Sequence, residues 1–284
     1  MGCNNAFLAC ESKLERIHVE YYNVGMKKMV VNALRQMKFL FLTLVVFLVG
    51  CSKDLENMTV QEQAIHQPHR FAEDHNRDSG RKPLDILNFS GVKPGQVVID
   101  LLGGGGYYTE LFNYIVGDTG KVYLQNNSLF LRFSTKELEK RLKNGRLKNT
   151  VRLDSEFADM KLSNDVDLIF IGLSYHDIYV PREDPVITAN REEFFSQVLA
   201  ALKPGGRLLI IDHAAESGTG KEAAAKLHRI DEEWAKQDIE SAGFKFEKSL
   251  DVLRNPDDNY QLDIWKKEVY RKTDRFIHLY RKPG

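Results

Sequence analysis

The stretch Val97-Val98-Ile99-Asp100-Leu101-Leu102-Gly103-Gly104-Gly105-Gly106-Tyr107-Tyr108-Thr109-Glu110 decides how the rest of the chain is read. β-Branched and aliphatic residues make a short strand, an acid follows, four glycines turn the chain, and an apolar, aromatic run opens a helix. Glycine lets the backbone turn tightly and brings its N–H groups against a ligand. Four in succession add to the entropy lost on folding, so the run needs a backbone reason. In an open parallel sheet such a turn lies at the carboxyl edge, where ligands bind. A dinucleotide motif would need a third glycine where Thr109 stands, and an acid after the second strand where the chain has Asn126. A phosphate-binding P-loop near Gly220-Lys221 fails too, because Ala215 and Glu222 occupy its glycine and Ser/Thr positions.

Working outward, helical and strand-like patterns alternate from about Phe71 onward. Strands are expected at Val97–Leu102, Val122–Gln125, Val151–Leu153, Val166–Leu173, Arg207–Asp212, Phe244–Leu250 and Arg275–Tyr280. Helices are expected at Tyr107–Ile115, Leu129–Leu142, Arg191–Leu202 and Lys221–Ala242. Short, continuously apolar strands such as Asp167-Leu168-Ile169-Phe170-Ile171 suit a parallel sheet covered on both faces. The alternation argues for a doubly wound α/β domain over 68–284. No convincing helix separates the last two strands, which predicts an antiparallel hairpin at the end of the sheet.

Upstream, Phe39–Gly50 is an almost unbroken apolar run preceded by Lys27, Lys28, Arg35 and Lys38. Twelve helical residues span about 18 Å, short of a bilayer core of about 30 Å. The pattern reads as a secretory signal over 1–50. Met37-Lys38 would start a signal of normal proportions, which leaves 1–36 as a misassigned start. Leu48-Val49-Gly50-Cys51 resembles the lipobox of bacterial lipoproteins, whose cysteine carries lipid after cleavage. That implies an extracytoplasmic protein held at a membrane of the cell envelope through Cys51. Residues 51–67 read as a polar tether without clear period.

Among 284 residues, 40 Lys and Arg balance 40 Asp and Glu, with 43% hydrophobic and 28% charged residues. The composition is that of a globular protein. Removing 1–50 leaves 34 basic and 37 acidic side chains, so no basic excess or stripe points to nucleic acid. The three cysteines, Cys3, Cys10 and Cys51, all precede the α/β region, which excludes a disulfide framework or a cysteine-based zinc site there.

The chain resembles the class I S-adenosylmethionine-dependent methyltransferases, and among them is similar to those of bacterial envelopes whose glycine motif runs into Gly-Tyr-Tyr-Thr-Glu. The resemblance covers about 70–284. It is carried by Gly91-Val92-Lys93-Pro94-Gly95, the glycine loop, Val116-Gly117-Asp118-Thr119-Gly120-Lys121-Val122, Asp167-Leu168-Ile169-Phe170, Leu202-Lys203-Pro204-Gly205-Gly206, Ala242-Gly243-Phe244 and Leu253-Arg254-Asn255-Pro256. It implies a seven-stranded Rossmann-like sheet, S-adenosylmethionine as cofactor, and binding by Asp100, Gly103, Gly104, Gly105, Gly106, Asn126 and, on the adenine side, Asp159, with Asp154 as competitor. Two positions depart from the family pattern: Leu102 replaces its first loop glycine, and Asn126 replaces the acid that takes the ribose hydroxyls.

The family's strand order makes the fourth and fifth strands neighbours, bringing together Tyr175, His176, Asp177, Asp212 and His213. Methyl transfer from a sulfonium needs in-line positioning and, for a protonated nucleophile, a base. His176 is the expected general base, oriented by Asp177 or Asp212, with Tyr175 and His213 beside it. His176, Asp177, Asp212 and His213 could alternatively make a hard or mixed metal site, although the reading assigns no metal. His228, Arg229 and Asp231 read as a solvated helix face. Arg70, Asp74, Arg77, Asp78, Arg81 and Lys82 read as a salt-bridge cluster in a segment able to fold over the site. The expected function is methyl transfer from S-adenosylmethionine to an unidentified small molecule or envelope component. The competing readings are a non-catalytic ligand-binding module, or a hydrolase or lyase using the His/Asp cluster.

Overall fold

The computed structural model describes residues 57–284, and the expected signal, its misassigned start and Cys51 lie outside them. A seven-stranded sheet forms the centre, built from β1 (Val97–Leu101), β2 (Lys121–Asn126), β3 (Thr150–Asp154), β4 (Val166–Gly172), β5 (Leu202–His213), β6 (Lys245–Ser249) and β7 (Arg275–Arg281). Its order is β3-β2-β1-β4-β5-β7-β6. Pairing is parallel from β3 through β5, and β7 runs antiparallel to both β5 and β6. The mostly parallel sheet with an antiparallel end thus matches the expected architecture.

Helices α1 (Val60–Ile65), α2 (Ala72–Arg81), α3 (Pro83–Ser90), α4 (Tyr107–Val116), α5 (Ser128–Leu142), α6 (Arg191–Ala201), α7 (Glu222–Leu227) and α8 (Glu232–Ser241) complete the fold. Two apolar layers sandwich the sheet. One gathers Ile99, Leu101, Ile169, Ile171, Phe194 and Val198, and the other Val98, Leu111, Phe112, Leu168, Phe170 and Leu209. Alternating strand residues enter opposite layers, as the two-residue period requires, so both faces are buried and the strands read as continuous apolar runs.

Three boundaries differ from expectation. The expected tether contains α1, capped by reciprocal bonds between Thr59 and Glu62, with Ala64 buried against the core. The polar residues that obscured its period supply that cap. The helix expected over Lys221–Ala242 is two helices, because His228 takes a left-handed φ of 51° and Asp231 then caps α8 through the N–H groups of Glu233 and Trp234. β5 begins at Leu202, ahead of the Lys-Pro-Gly-Gly turn signal, through a pairing of Leu202 with Val166 and a register shift before Arg207.

Candidate active site

The glycine loop leaves β1 and enters α4. Leu102 adopts φ 55°, Gly104 φ 56° and Gly106 φ 81°. The first of these is the position where the resembled family has glycine, and a left-handed leucine costs about 1–2 kcal/mol. The Leu102 side chain offsets that by burial, 2% exposed in the layer that holds Phe157, Met160 and Ile178. It therefore leaves the space in front of the loop clear: a Cβ placed on Gly104 would meet nothing within 4 Å. The other glycines are packed from behind, since a Cβ on Gly103 would strike the Asp100 carboxyl, on Gly105 the Glu137 carboxyl, and on Gly106 would lie 3.0 Å from Arg141.

Asp100 ends β1 buried, accepting the Thr109 hydroxyl at 2.5 Å. Burial outweighs that bond and raises its carboxyl pKa to about 6. Asn126, at the tip of β2, bonds both polar atoms of the Gly104 peptide: its Oδ1 accepts from the N–H at 2.8 Å and its Nδ2 donates to the carbonyl at 3.0 Å. Asn126 thus shapes the loop rather than reaching out from it. Asp159 lies exposed in a 3-10 turn after β3 and accepts from the Lys161 N–H. Asp154, also exposed, pairs with Arg152.

Two neighbouring residues carry signals the sequence did not show. Asn127 Nδ2 and Glu156 Oε2 are buried without a hydrogen-bond partner among the described residues. Their other polar atoms cap α5, Asn127 Oδ1 accepting from Phe130 N–H at 3.0 Å and Glu156 Oε1 from Ser128 N–H at 3.0 Å. An unpaired buried donor and acceptor cost about 1–3 kcal/mol each. Set at the carboxyl ends of β2 and β3, they offer one donor and one acceptor to a polar ligand. With the open approach to Gly104, they fit the hydroxyls and ring nitrogens of a nucleoside.

Arg141, fully buried, binds the rear of the loop. It donates to the Gly105 carbonyl and pairs with Asp74 at 2.7 Å, Glu137 at 2.9 Å and Glu110. Through Asp74 it fastens α2 to the loop, and Arg77 joins the same cluster through Asp74 and Glu137. Arg70 pairs with Asp78, which also accepts the Tyr107 hydroxyl. Arg81 lies 4.5 Å over the Tyr107 ring. The basic and acidic residues before β1 are therefore mostly an ion-pair clasp that orders the loop.

Beyond β4, a 3-10 turn over His176–Tyr179 carries the remaining candidates. His176 Nδ1 lies 2.8 Å from Asp212 Oδ1, and the same carboxylate accepts the backbone N–H groups of His176 at 2.6 Å and His213 at 2.8 Å. Burial disfavours the charged ring, but Asp212 and then Asp177 outweigh it and hold the pKa at about 9. At neutral pH the ring is therefore protonated, unlike the unperturbed histidine expected for a general base. His176 Nε2 lies 3.6 Å from Asp177 Oδ2, while Asp177 Oδ1 accepts from Arg182 at 2.8 Å.

Tyr175 and His213 turn elsewhere. The Tyr175 hydroxyl, fully buried, bonds Asp238 on α8. His213 Nδ1 lies 2.6 Å from Thr273 Oγ1, and burial together with the charge of Arg275 keeps it neutral. The structure instead adds His228, whose ring lies 5.6 Å from that of His176. The sequence pattern puts His228 on a solvated helix face, and the break between α7 and α8 is what turns it inward. Arg229 beside it pairs with buried Asp258 at 2.8 Å.

The strand order and the glycine loop are those that the resemblance to class I S-adenosylmethionine-dependent methyltransferases implies, and the chain is similar in sequence to enzymes of that kind. The chain is 31% identical over 127 residues to the ubiquinone/menaquinone biosynthesis C-methyltransferase UbiE of Shewanella pealeana, covering 44% of this chain and 46% of that protein. It is 32% identical over 148 residues to the same enzyme of Ectopseudomonas mendocina, covering 50% of each. The matched region thus spans about half the length of these curated relatives. A solved structure of an S-adenosylmethionine-dependent methyltransferase from Aquifex aeolicus is similar with a TM-score of 0.48 and 21% identity, covering 69% of this chain and 87% of that one. No family model matches the chain.

Proposed function

We propose that the protein is a methyltransferase that uses S-adenosylmethionine. The observation carrying this reading is the glycine loop at the tip of β1: clear in front of Gly104, packed behind, and flanked by the unpaired polar atoms of Asn127 and Glu156. When bound, the cofactor supplies an activated methyl group on a sulfonium. The protein's part is to bind and orient. The backbone at Gly104 admits close approach, Asn127 Nδ2 donates and Glu156 Oε2 accepts at the nucleoside, and Asn126 fixes the loop they serve. Asp100 stiffens the strand end through Thr109 and places a buried carboxyl beneath the loop.

The acceptor meets the protein at His176 and Asp177, in the 3-10 turn that follows β4. Asp212 orients the His176 ring and leaves Nε2 for the acceptor side. Tyr175 and His213, bonded to Asp238 and Thr273, hold surrounding elements in place. The relatives are C-methyltransferases of ubiquinone and menaquinone biosynthesis, which supports a planar, oxygen-bearing acceptor. Trp265, 63% exposed and with its ring 6.2 Å from His228, offers a flat apolar face for such a molecule.

The sequence pattern around Cys51 supports export and lipid attachment, so the proposed setting is an envelope membrane to which the α/β domain is tethered. Among the described residues no helix is long and apolar enough to cross a membrane.

Titration calorimetry of the full chain with S-adenosylmethionine and S-adenosylhomocysteine tests the cofactor assignment. Saturable heat with either ligand is expected; no heat and no thermal shift at millimolar ligand would remove it. Loss of metabolic palmitate labelling in Cys51→Ala tests the anchor.

A further inference from the structure

We infer that His176, Asp177 and His228 form a binding site for a divalent cation of the zinc type, with a position left open for the acceptor. One ligand atom from each of the three lies within 4.8 Å of the others. His176 Nε2 and Asp177 Oδ2 are 3.6 Å apart. Two donors on one tetrahedral ion, with bonds of about 2.0–2.2 Å, stand about 3.4 Å apart. For this pair, side-chain adjustment of tenths of an ångström closes the difference, while the His228 nitrogen, within 4.8 Å of the others, moves closer by up to about 1.4 Å through rotation of its side chain.

The surrounding contacts orient these donors. The Nδ1 edge of His176 faces Asp212, so Nε2 is the nitrogen presented to an ion, which binds by displacing the Nε2 proton to solvent. Metal-ligating histidines characteristically give their other ring nitrogen to a carboxylate in this way. Asp212 is itself immobile, gripped by two backbone N–H groups. Arg182 engages Asp177 Oδ1 and leaves Oδ2 as a single donor atom. His228 arrives from the other side at a left-handed φ of 51°, a conformation a histidine adopts at a cost. Its ring has aromatic neighbours but no hydrogen bond among the described residues.

Two imidazoles and one carboxylate suit zinc, cobalt or ferrous ions and not magnesium or calcium, which favour oxygen ligands. Three protein ligands also characterise catalytic zinc sites, where the fourth position takes water or substrate. On the methyltransferase reading, that position receives an oxygen of the acceptor while Trp265 covers its ring.

The test is metal binding by the full chain, stripped with chelator and dialysed against zinc, with cobalt as spectroscopic substitute. One retained equivalent of zinc, a visible cobalt absorption band and no competition from millimolar magnesium are expected. His228→Asn, chosen because asparagine tolerates left-handed backbone, should weaken zinc binding at least tenfold. Asp212→Asn should weaken it about 10–100-fold, and the exposed control His69→Ala should not. Circular dichroism establishes that each variant is folded, and His228→Gln repeats the test if His228→Asn is not. Failure to retain zinc, or equal zinc affinity in wild type and a folded His228 variant, overturns the inference. Calorimetry with S-adenosylmethionine separates the two readings: cofactor bound without zinc sinks the cation site alone, and zinc bound without cofactor sinks the methyltransferase reading alone.

Discussion

Asn126 and Gly104 exchange two hydrogen bonds, so a side chain from the tip of β2 closes a ring with a peptide at the tip of β1. Asparagine can do this because its amide carries both an acceptor and donors, whereas a carboxylate only accepts. Asn126→Asp should therefore lose the bond to the Gly104 carbonyl and bury a charge there. The expected effect is about 1–3 kcal/mol, a fall of several degrees in melting temperature measured without ligand. A melting temperature equal to wild type would show that the paired bonds do not hold the loop.

Leu102 sets two effects against each other. Glycine there would remove about 1–2 kcal/mol of left-handed strain. It would also delete a buried side chain, and removing a core leucine costs about 2.7–5 kcal/mol. Burial wins on these magnitudes, so Leu102→Gly should be less stable by about 1–4 kcal/mol in urea unfolding. A more stable variant would mean that the residue is retained for something other than packing.

Glu156 should behave differently, because its Oε2 has no partner to lose. Glu156→Gln keeps an acceptor for the Ser128 N–H but replaces the unpaired oxygen or its mate with an amide. Stability should change by less than about 1 kcal/mol. Affinity for S-adenosylmethionine should fall about tenfold or more, as for a lost charge-assisted bond of about 1.5–3 kcal/mol. Unchanged affinity by calorimetry would remove Glu156 from the proposed cofactor site.

Much of this was legible in the chain. The apolar runs at Val97 and Asp167 announced buried parallel strands, and the absence of a helix before Arg275 announced the antiparallel edge. The glycine run located the loop because few other roles justify its entropy. What was hidden is side-chain direction. Tyr175 and His176 are consecutive, yet the 3-10 turn sends one to Asp238 and the other to Asp212. His228 looked like part of one amphipathic helix, and only its left-handed backbone, stabilised by the cap at Asp231, brings it beside His176. Nor could sequence distinguish Asn126, whose polar atoms are spent on Gly104, from Asn127, which keeps one free.

Asp100 gives the fold a pH signature. Its folded pKa of about 6 lies above the ordinary 3.8, chiefly because burial penalises the carboxylate. Between those values the native state binds more protons than the unfolded chain, so this group's contribution falls as pH rises through the window. The loss is complete above it and amounts to about 3 kcal/mol. Asp100→Asn should remove that slope and, near neutral pH, exceed wild type in stability without ligand. Urea midpoints of both proteins across the window check this. Parallel pH profiles would mean that Asp100 titrates normally in the folded protein.

Tyr175 provides the sharpest separation of scaffold from site. It was expected beside the chemistry, but its hydroxyl ends inside the protein on Asp238, a carboxylate that also engages Tyr179 and the Arg191 guanidinium at 2.6 Å. Removing the hydroxyl leaves Asp238 with those partners, so no buried charge is stranded and the cost should stay near about 1 kcal/mol. For a domain of this size that is about 2–4 °C in melting temperature. Tyr175→Phe should accordingly retain kcat and KM for methyl transfer, while His176→Ala, one residue on, should lose turnover. A Tyr175→Phe protein that melts like wild type yet turns over more slowly would place the hydroxyl back in the active site, which would require the 3-10 turn to rearrange when the acceptor binds.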